Sequence, residues 1–220
     1  MDFGKAFSFV FDDENWIVKV LIGGVLSLIP IVGQILMYGY ALEVMKNAMR
    51  GQSTPLPEWD EWGDKLVKGI MYMIIGFVYA LPIIIVGGCF GVLMGGLGVA
   101  EAEEAVEVIG SLGGVCFGGF ALLYVILMML VLPPALGRYL ETNELGAAFR
   151  FGEVFALARD KIGGWIVALV LSVVIGLVAG LVGVLLCGVG SLFTSFWSTL
   201  VMMYLWGEVY RQASAESMAV

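Results

Sequence analysis

Four long apolar stretches organise the chain: Gly69–Ala100, Ile109–Leu132, Trp165–Cys187 and Ser191–Tyr210. Each has the length a membrane crossing needs, since about 20 residues rising about 1.5 Å apiece cover a hydrocarbon core of about 30 Å. The first three carry no charge, and the fourth carries only Glu208 near its end. Pro82 is a kink point in the first, because its ring removes a helical hydrogen bond. Pro133–Pro134 should stop the second, and Gly188-Val189-Gly190 reads as the turn between the last two.

Ile17–Met49 is a fifth apolar segment, divided by Pro30. Its arms are about 13–17 residues each, or roughly 20–25 Å, which is marginal for a crossing. It is either one kinked span or a short hairpin that enters and leaves on one side. An internal similarity favours the hairpin. Phe3-Gly4-Lys5-Ala6-Phe7 resembles Phe151-Gly152-Glu153-Val154-Phe155, and Trp16-Ile17-Val18 resembles Trp165-Ile166-Val167. Glu43-Val44-Met45-Lys46-Asn47-Ala48 likewise resembles Glu208-Val209-Tyr210-Arg211-Gln212-Ala213. A repeat of 3–48 in 151–213 implies that the first copy doubles back as the second does.

Charge points the same way. With the hairpin, all eleven Lys and Arg residues fall on the side of the two termini. The other side offers Glu101, Glu103, Glu104, Glu107 and the glycine turn. Lys and Arg mark the cytoplasmic side, so both termini are expected there. Asp12-Asp13-Glu14 stands where a cleavable signal would carry positive charge, so none is expected.

Two segments look amphipathic. Phe3, Phe7 and Val10 recur at helical spacing, as do Phe151, Phe155 and Ala158, with Ala148 and Ile162 extending the second stripe. Such helices lie in the membrane interface or dock on a bundle. Pro55-Leu56-Pro57-Glu58-Trp59-Asp60-Glu61-Trp62-Gly63-Asp64-Lys65 reads as the start of a third. Its prolines preset a first turn, and Trp59, Trp62 and Leu66 share a face suited to headgroups. Glu61–Lys65 and Asp64–Lys68 fall at the i,i+4 spacing of helical ion pairs. An interfacial anchor is expected, with Trp59, Asp60, Trp62 and Asp64 as candidate partner-binding residues. A divalent ion on Asp60 and Asp64 would need more oxygen ligands than this stretch supplies.

Ile29-Pro30-Ile31-Val32-Gly33, Tyr38-Gly39-Tyr40, Leu56-Pro57-Glu58-Trp59-Asp60-Glu61-Trp62-Gly63 and Leu192-Phe193-Thr194-Ser195-Phe196-Trp197 resemble a prokaryotic family catalogued as domain of unknown function 4013. The resemblance spans nearly the whole chain, and its Pro-Glu-Trp-Asp motif is the most specific part. It implies a polytopic membrane protein of bacteria or archaea and carries no activity. The Glu101–Glu107 connection is not part of the motif.

Composition removes several chemistries. Apolar residues are 60% of the chain, charged residues 14%, and the mean hydropathy is +0.99. Histidine is absent, which excludes imidazole-based triads, and the net charge of −8 argues against nucleic acid. Cys89, Cys116 and Cys187 lie in apolar runs and read as small buried packers. No nucleotide loop, nucleophile elbow or metal spacing stands in a plausible context, so neither enzyme activity nor a cofactor or metal is expected. The two central spans and Trp165–Cys187 lack ionisable groups, which weighs against a proton relay or coupled ion transport.

The remaining polar groups have bland uses. Lys19 and Glu43 can snorkel to the interface. Gln34 should satisfy backbone opened near Pro30 rather than hold a ligand. Ser191, Thr194, Ser195, Ser198 and Thr199 should bond across helices. Gly87, Gly91 and Gly95 recur every four residues, as do Gly110, Gly114 and Gly118 in the next span and the pair Gly176 and Gly180, which suggests close packing within the hairpin or an oligomer face.

The expected protein is all-α: an integral membrane bundle of four full spans, a short N-terminal helical hairpin and interfacial amphipathic helices. It divides into 1–68, a transmembrane hairpin over 69–132, a cytoplasmic amphipathic segment over 133–164, and a second hairpin with tail over 165–220. The expected role is a non-catalytic scaffold or accessory subunit of a prokaryotic cytoplasmic membrane. Its partners would be lipid, another membrane protein or a second copy. The alternative is a channel or transporter for a small neutral or lipid-like solute.

Overall fold

The structure is a computed structural model that describes residues 3–99, 103–186 and 188–217. Ala100, Glu101 and Cys187, each singled out above, lie outside the described residues, as do the side chains of Phe3, Glu103 and Glu104. The described chain is all-helical. Helix α1 covers Phe3–Ser8, α2 Trp16–Leu26, α3 Val32–Met49 and α4 Trp62–Val99. Helix α5 follows over Glu103–Thr142, then a 3-10 turn at Leu145–Phe149, α6 over Phe151–Asp160, α7 over Ile162–Leu185 and α8 over Val189–Ser217. Of these, α4, α5, α7 and α8 are long and apolar enough to cross a membrane.

Residues 17–49 form a hairpin. Gly23 and Gly24 of α2 face Phe196 and Phe193, while Phe9, directly after α1, stacks on Tyr204 at 4.5 Å. The chain therefore runs against α8. On α3, Tyr40 lies beside Phe196 and the Met45 carbonyl lies against Gly207, so α3 runs along α8. The reversal occurs at Pro30-Ile31-Val32, where the Val32 N–H donates to the Pro30 carbonyl at 2.7 Å and Ile31 takes φ 64°. That is a γ-turn, a strained conformation for a β-branched residue. Gln34 acts here as expected: its Nε2 donates to the Ser27 carbonyl at 3.4 Å.

Helix α4 packs antiparallel on α3. A Cβ at Gly39 would overlap the Lys65 carbonyl, and one at Gly69 the Ile35 carbonyl. Helix α5 returns antiparallel to α4, with the Tyr124 hydroxyl donating to the Tyr79 carbonyl at 2.5 Å. In consequence α1, residues 50–61 and residues 143–161 sit at one end of the bundle. The turn at 27–31, with Leu186 and Gly188, sits at the other.

Several expectations are corrected. Helix α5 does not stop at Pro133 and Pro134 but continues through them to Thr142. A proline inside a helix costs about 3 kcal/mol, but Ala135, Leu136 and Leu140 beyond it are buried in the core, and that burial offsets the loss. The glycine rows do not meet. Gly91, Gly95, Gly114, Gly118, Gly176 and Gly180 have nothing within 4 Å of a built Cβ. The α4–α5 seam is filled by Phe90 and Phe117, stacked at 5.7 Å and seated on Gly113 and Gly87, and by Met94 on Gly110. Cys89 and Cys116 are exposed rather than buried. Thr194, Ser195, Ser198 and Thr199 donate to carbonyls three or four residues back in their own helix, not across helices.

The amphipathic helices show both faces. On α6, Val154, Leu157 and Ala158 dock on the bundle while Phe151 and Phe155 are half-exposed, so the expected stripe is split, with Ala148 buried and Ile162 exposed. Around α1 the buried residues are Ala6, Phe9 and Val10, and Phe7 is exposed, so the expected Phe7–Val10 stripe is split.

Candidate functional site

The Pro-Glu-Trp-Asp segment is a strap rather than a helix. Residues 52–61 run without helical structure between α3 and α4, and α4 begins only at Trp62, after Glu61 takes φ 43°. Bonds to the bundle hold the strap. The Pro55 carbonyl accepts from Asn47 Nδ2 at 3.0 Å and the Pro57 carbonyl from the Tyr40 hydroxyl at 2.8 Å. Trp59 turns inward. Its ring stacks on Tyr40 at 4.3 Å and on Trp62 at 5.4 Å, and its Nε1 donates to the Lys19 carbonyl at 2.9 Å. With its N–H satisfied, the half-buried indole packs against the core, which replaces the expected face shared with Leu66.

The acids of the motif meet buried lysines. Lys19, nearly fully buried, pairs with Asp13 at 2.7 Å and with Glu58 at 2.6 Å. It does not snorkel. Burial works against its charge, but the two carboxylates outweigh burial and hold its pKa above the ordinary lysine value.

A second cluster joins α3 to α4. Lys65, whose side chain is 1% exposed, donates to the Asp60 carbonyl at 2.7 Å, and pairs with Glu43 at 3.0 Å and with the Asp60 carboxylate at 3.4 Å. Lys68 takes the other Glu43 oxygen at 2.7 Å and pairs with Asp64 as expected at i,i+4. The anticipated Glu61–Lys65 pair is replaced by Glu43 and Asp60, because Glu61 lies before the helix and Lys65 faces α3. Asp60 and Asp64 thus serve different lysines and do not face a common ion. Among the described residues, no group of three or more metal-binding side chains converges.

Beside this cluster lies Lys46, in the last turn of α3. It bonds to Asn143 Oδ1 at 3.3 Å. Burial first, then Lys68 and Arg50, lower its pKa below the ordinary value. Sequence reasoning gave Tyr40 and Lys46 no role and assigned Lys65 to Glu61 rather than Glu43. The signal was there in part, since Glu43, Lys46 and Asn47 share a face of α3, and Lys65 and Lys68 share one of α4. What opposes each face was not visible.

The candidate residues therefore separate into groups. Trp59, Asp60, Trp62 and Asp64 gather with Glu43, Lys65 and Lys68 at the polar end. Gln34 sits at the hairpin turn, and Thr194, Ser195 and Ser198 lie along α8. No curated protein and no solved structure matches the chain. A family described as a protein of unknown function (DUF4013) matches residues 22–188, from α2 to the α7–α8 turn, and takes in the strap and the α3–α4 cluster. Leu192–Trp197, one of the stretches that carry the resemblance, lies beyond the match. With three quarters of its length matched, the chain belongs to the DUF4013 family.

Proposed function

We propose that the protein is a non-catalytic integral component of a prokaryotic cytoplasmic membrane, a scaffold or accessory subunit that engages lipid or another membrane protein. The supporting observation is the outer part of the α4–α5 hairpin. Between Tyr79 and Met128 no described residue belongs to the buried core or packs on it. The two helices there touch each other through Phe90, Phe117 and Met94 and turn the rest outward, Val92 and Val115 being 78% and 77% exposed. A paddle of this kind presents apolar helix faces to whatever lies beside it in the membrane. Serine and threonine hydroxyls within the spans go to local backbone, as where Ser172 donates to the Ala168 carbonyl at 2.7 Å.

The test is purification in mild detergent followed by mass measurement of the intact complex, alongside flux assays in liposomes. A stoichiometric partner protein or retained lipid supports the reading. Solute flux above that of empty liposomes overturns it in favour of a channel or transporter.

The orientation follows from the positive-inside rule, with both termini in the cytoplasm. In a cysteine-free background, single cysteines at Ser53 and Asn143 should react with an impermeant thiol reagent only from the cytoplasmic side. One at Glu103 should react only from outside. External reaction at Ser53 or Asn143 would reverse the orientation.

A further inference from the structure

A cavity of about 370 Å³ opens between the C-terminal ends of α3, α5 and α8. One wall is cationic, formed by Lys46, Arg50 and Arg211, and the other is apolar, formed by Met49, Leu140 and Ala215. Its carboxylate, Glu141, is already engaged, accepting from Arg138 Nη1 at 2.9 Å and from the Tyr210 hydroxyl at 2.7 Å. Arg211 uses Nη2 on Glu208 at 2.8 Å. Among the described residues, neither Lys46 nor Arg50 has a carboxylate within ion-pair distance. Basic residues near helix C-termini are favoured by the helix dipole, which accounts for their presence on α3. It does not account for Lys46 and Arg50 lining the same cavity as Arg211, while Glu43 and Asp64, which attract Lys46, lie on the other side of Lys46 with Lys68.

An anion in that cavity would relieve the repulsion between Lys46 and Arg50. We propose that this pocket binds a phosphate group, with Lys46, Arg50 and Arg211 as its cationic ligands. Arginine offers a planar fork and lysine a point charge, a combination that suits phosphate oxygens. The apolar wall beside them suits the glycerol and upper acyl region of a phospholipid, and basic pockets between transmembrane helices are general binding places for anionic headgroups. The inference deepens the lipid-binding side of the function proposed above and rests on it. Free phosphate shares the chemistry and is distinguished by the test.

The full-length protein is placed in nanodiscs of phosphatidylcholine, with or without phosphatidylglycerol, and its melting is followed. A ligand that binds only the folded state raises the melting temperature, and phosphatidylglycerol should raise it by about 3–6 °C. Lys46→Gln/Arg50→Gln should lose the increment, Lys46→Arg/Arg50→Lys should retain it, and the charge-matched control Arg150→Gln/Arg159→Gln should also retain it. In phosphatidylcholine alone, an increment from inorganic phosphate that the Gln variant loses would support the pocket with a soluble ligand. Equal melting in both discs with no response to phosphate overturns the proposal. So does an increment that Lys46→Gln/Arg50→Gln keeps. Solute flux in liposomes would overturn the scaffold reading without touching this result.

Discussion

Glu43→Gln should be among the most destabilising single substitutions in this protein, at a cost of about 3–5 kcal/mol. The side chain is close to isosteric, so the loss is one of charge. Lys65 is 1% exposed and Glu43 12%, and their 3.0 Å contact neutralises a lysine that water cannot reach. With Glu43 neutral, Lys65 keeps Asp60, whose carboxylate is mostly exposed and 3.4 Å away. Lys68 keeps Asp64 alone. Unfolding in mixed micelles should show the deficit, and Glu43→Gln/Lys65→Met should recover much of it because no buried charge then remains unpaired. Glu144→Gln provides the contrast. Glu144 and Arg150 are both exposed and 3.7 Å apart, so losing that pair should cost less than about 1 kcal/mol. Equal costs for the two substitutions would mean that the cluster is solvated.

Gly39→Leu and Gly69→Leu should each destabilise the fold by about 3 kcal/mol or more, at the upper end of what overpacking costs. At both positions the obstacle is a carbonyl oxygen of the facing helix, Lys65 at one and Ile35 at the other. Backbone cannot rotate away as a side-chain end can, so α3 and α4 must separate. Separation also draws Lys65 from Glu43, which couples this defect to the first. Gly91→Leu and Gly114→Leu should be near neutral, since a Cβ at either meets nothing within 4 Å and leaving glycine favours the helix by about 0.5–1 kcal/mol. Strong destabilisation at Gly91 with none at Gly39 would mean that α4 packs through its other face.

The contrast between these glycines illustrates what a sequence can carry. Gly87, Gly91 and Gly95 form the more regular row, yet only Gly87 has a neighbour, Phe117 at 3.1 Å. Gly39 and Gly69 belong to no row and make the close crossing. Spacing tells which residues share a face of one helix, but not which helix that face meets. The strap repeats the lesson. Its residues stood out on composition, but their helical reading failed because Glu61 adopts a left-handed conformation and Trp59 finds Tyr40, Phe196 and the Lys19 carbonyl. Helix spacing was legible where one local interaction suffices, as in Asp64 with Lys68.

By itself the sequence determined the all-helical class, the four helices able to span, the break at Pro30 and the gathering of Lys and Arg near the chain ends and the 50–68 and 133–164 connections. Those follow from length, hydropathy and backbone chemistry, which act within one segment. Only the tertiary structure decided that α5 continues through two prolines, that Lys65 answers Glu43 and that Lys46, Arg50 and Arg211 surround one cavity. The physical reason is that lipid solvates one apolar helix face as well as another. Helix partners are then chosen by shape at a few contacts and by the need of each buried charge for an opposite, and both depend on residues far apart in the chain.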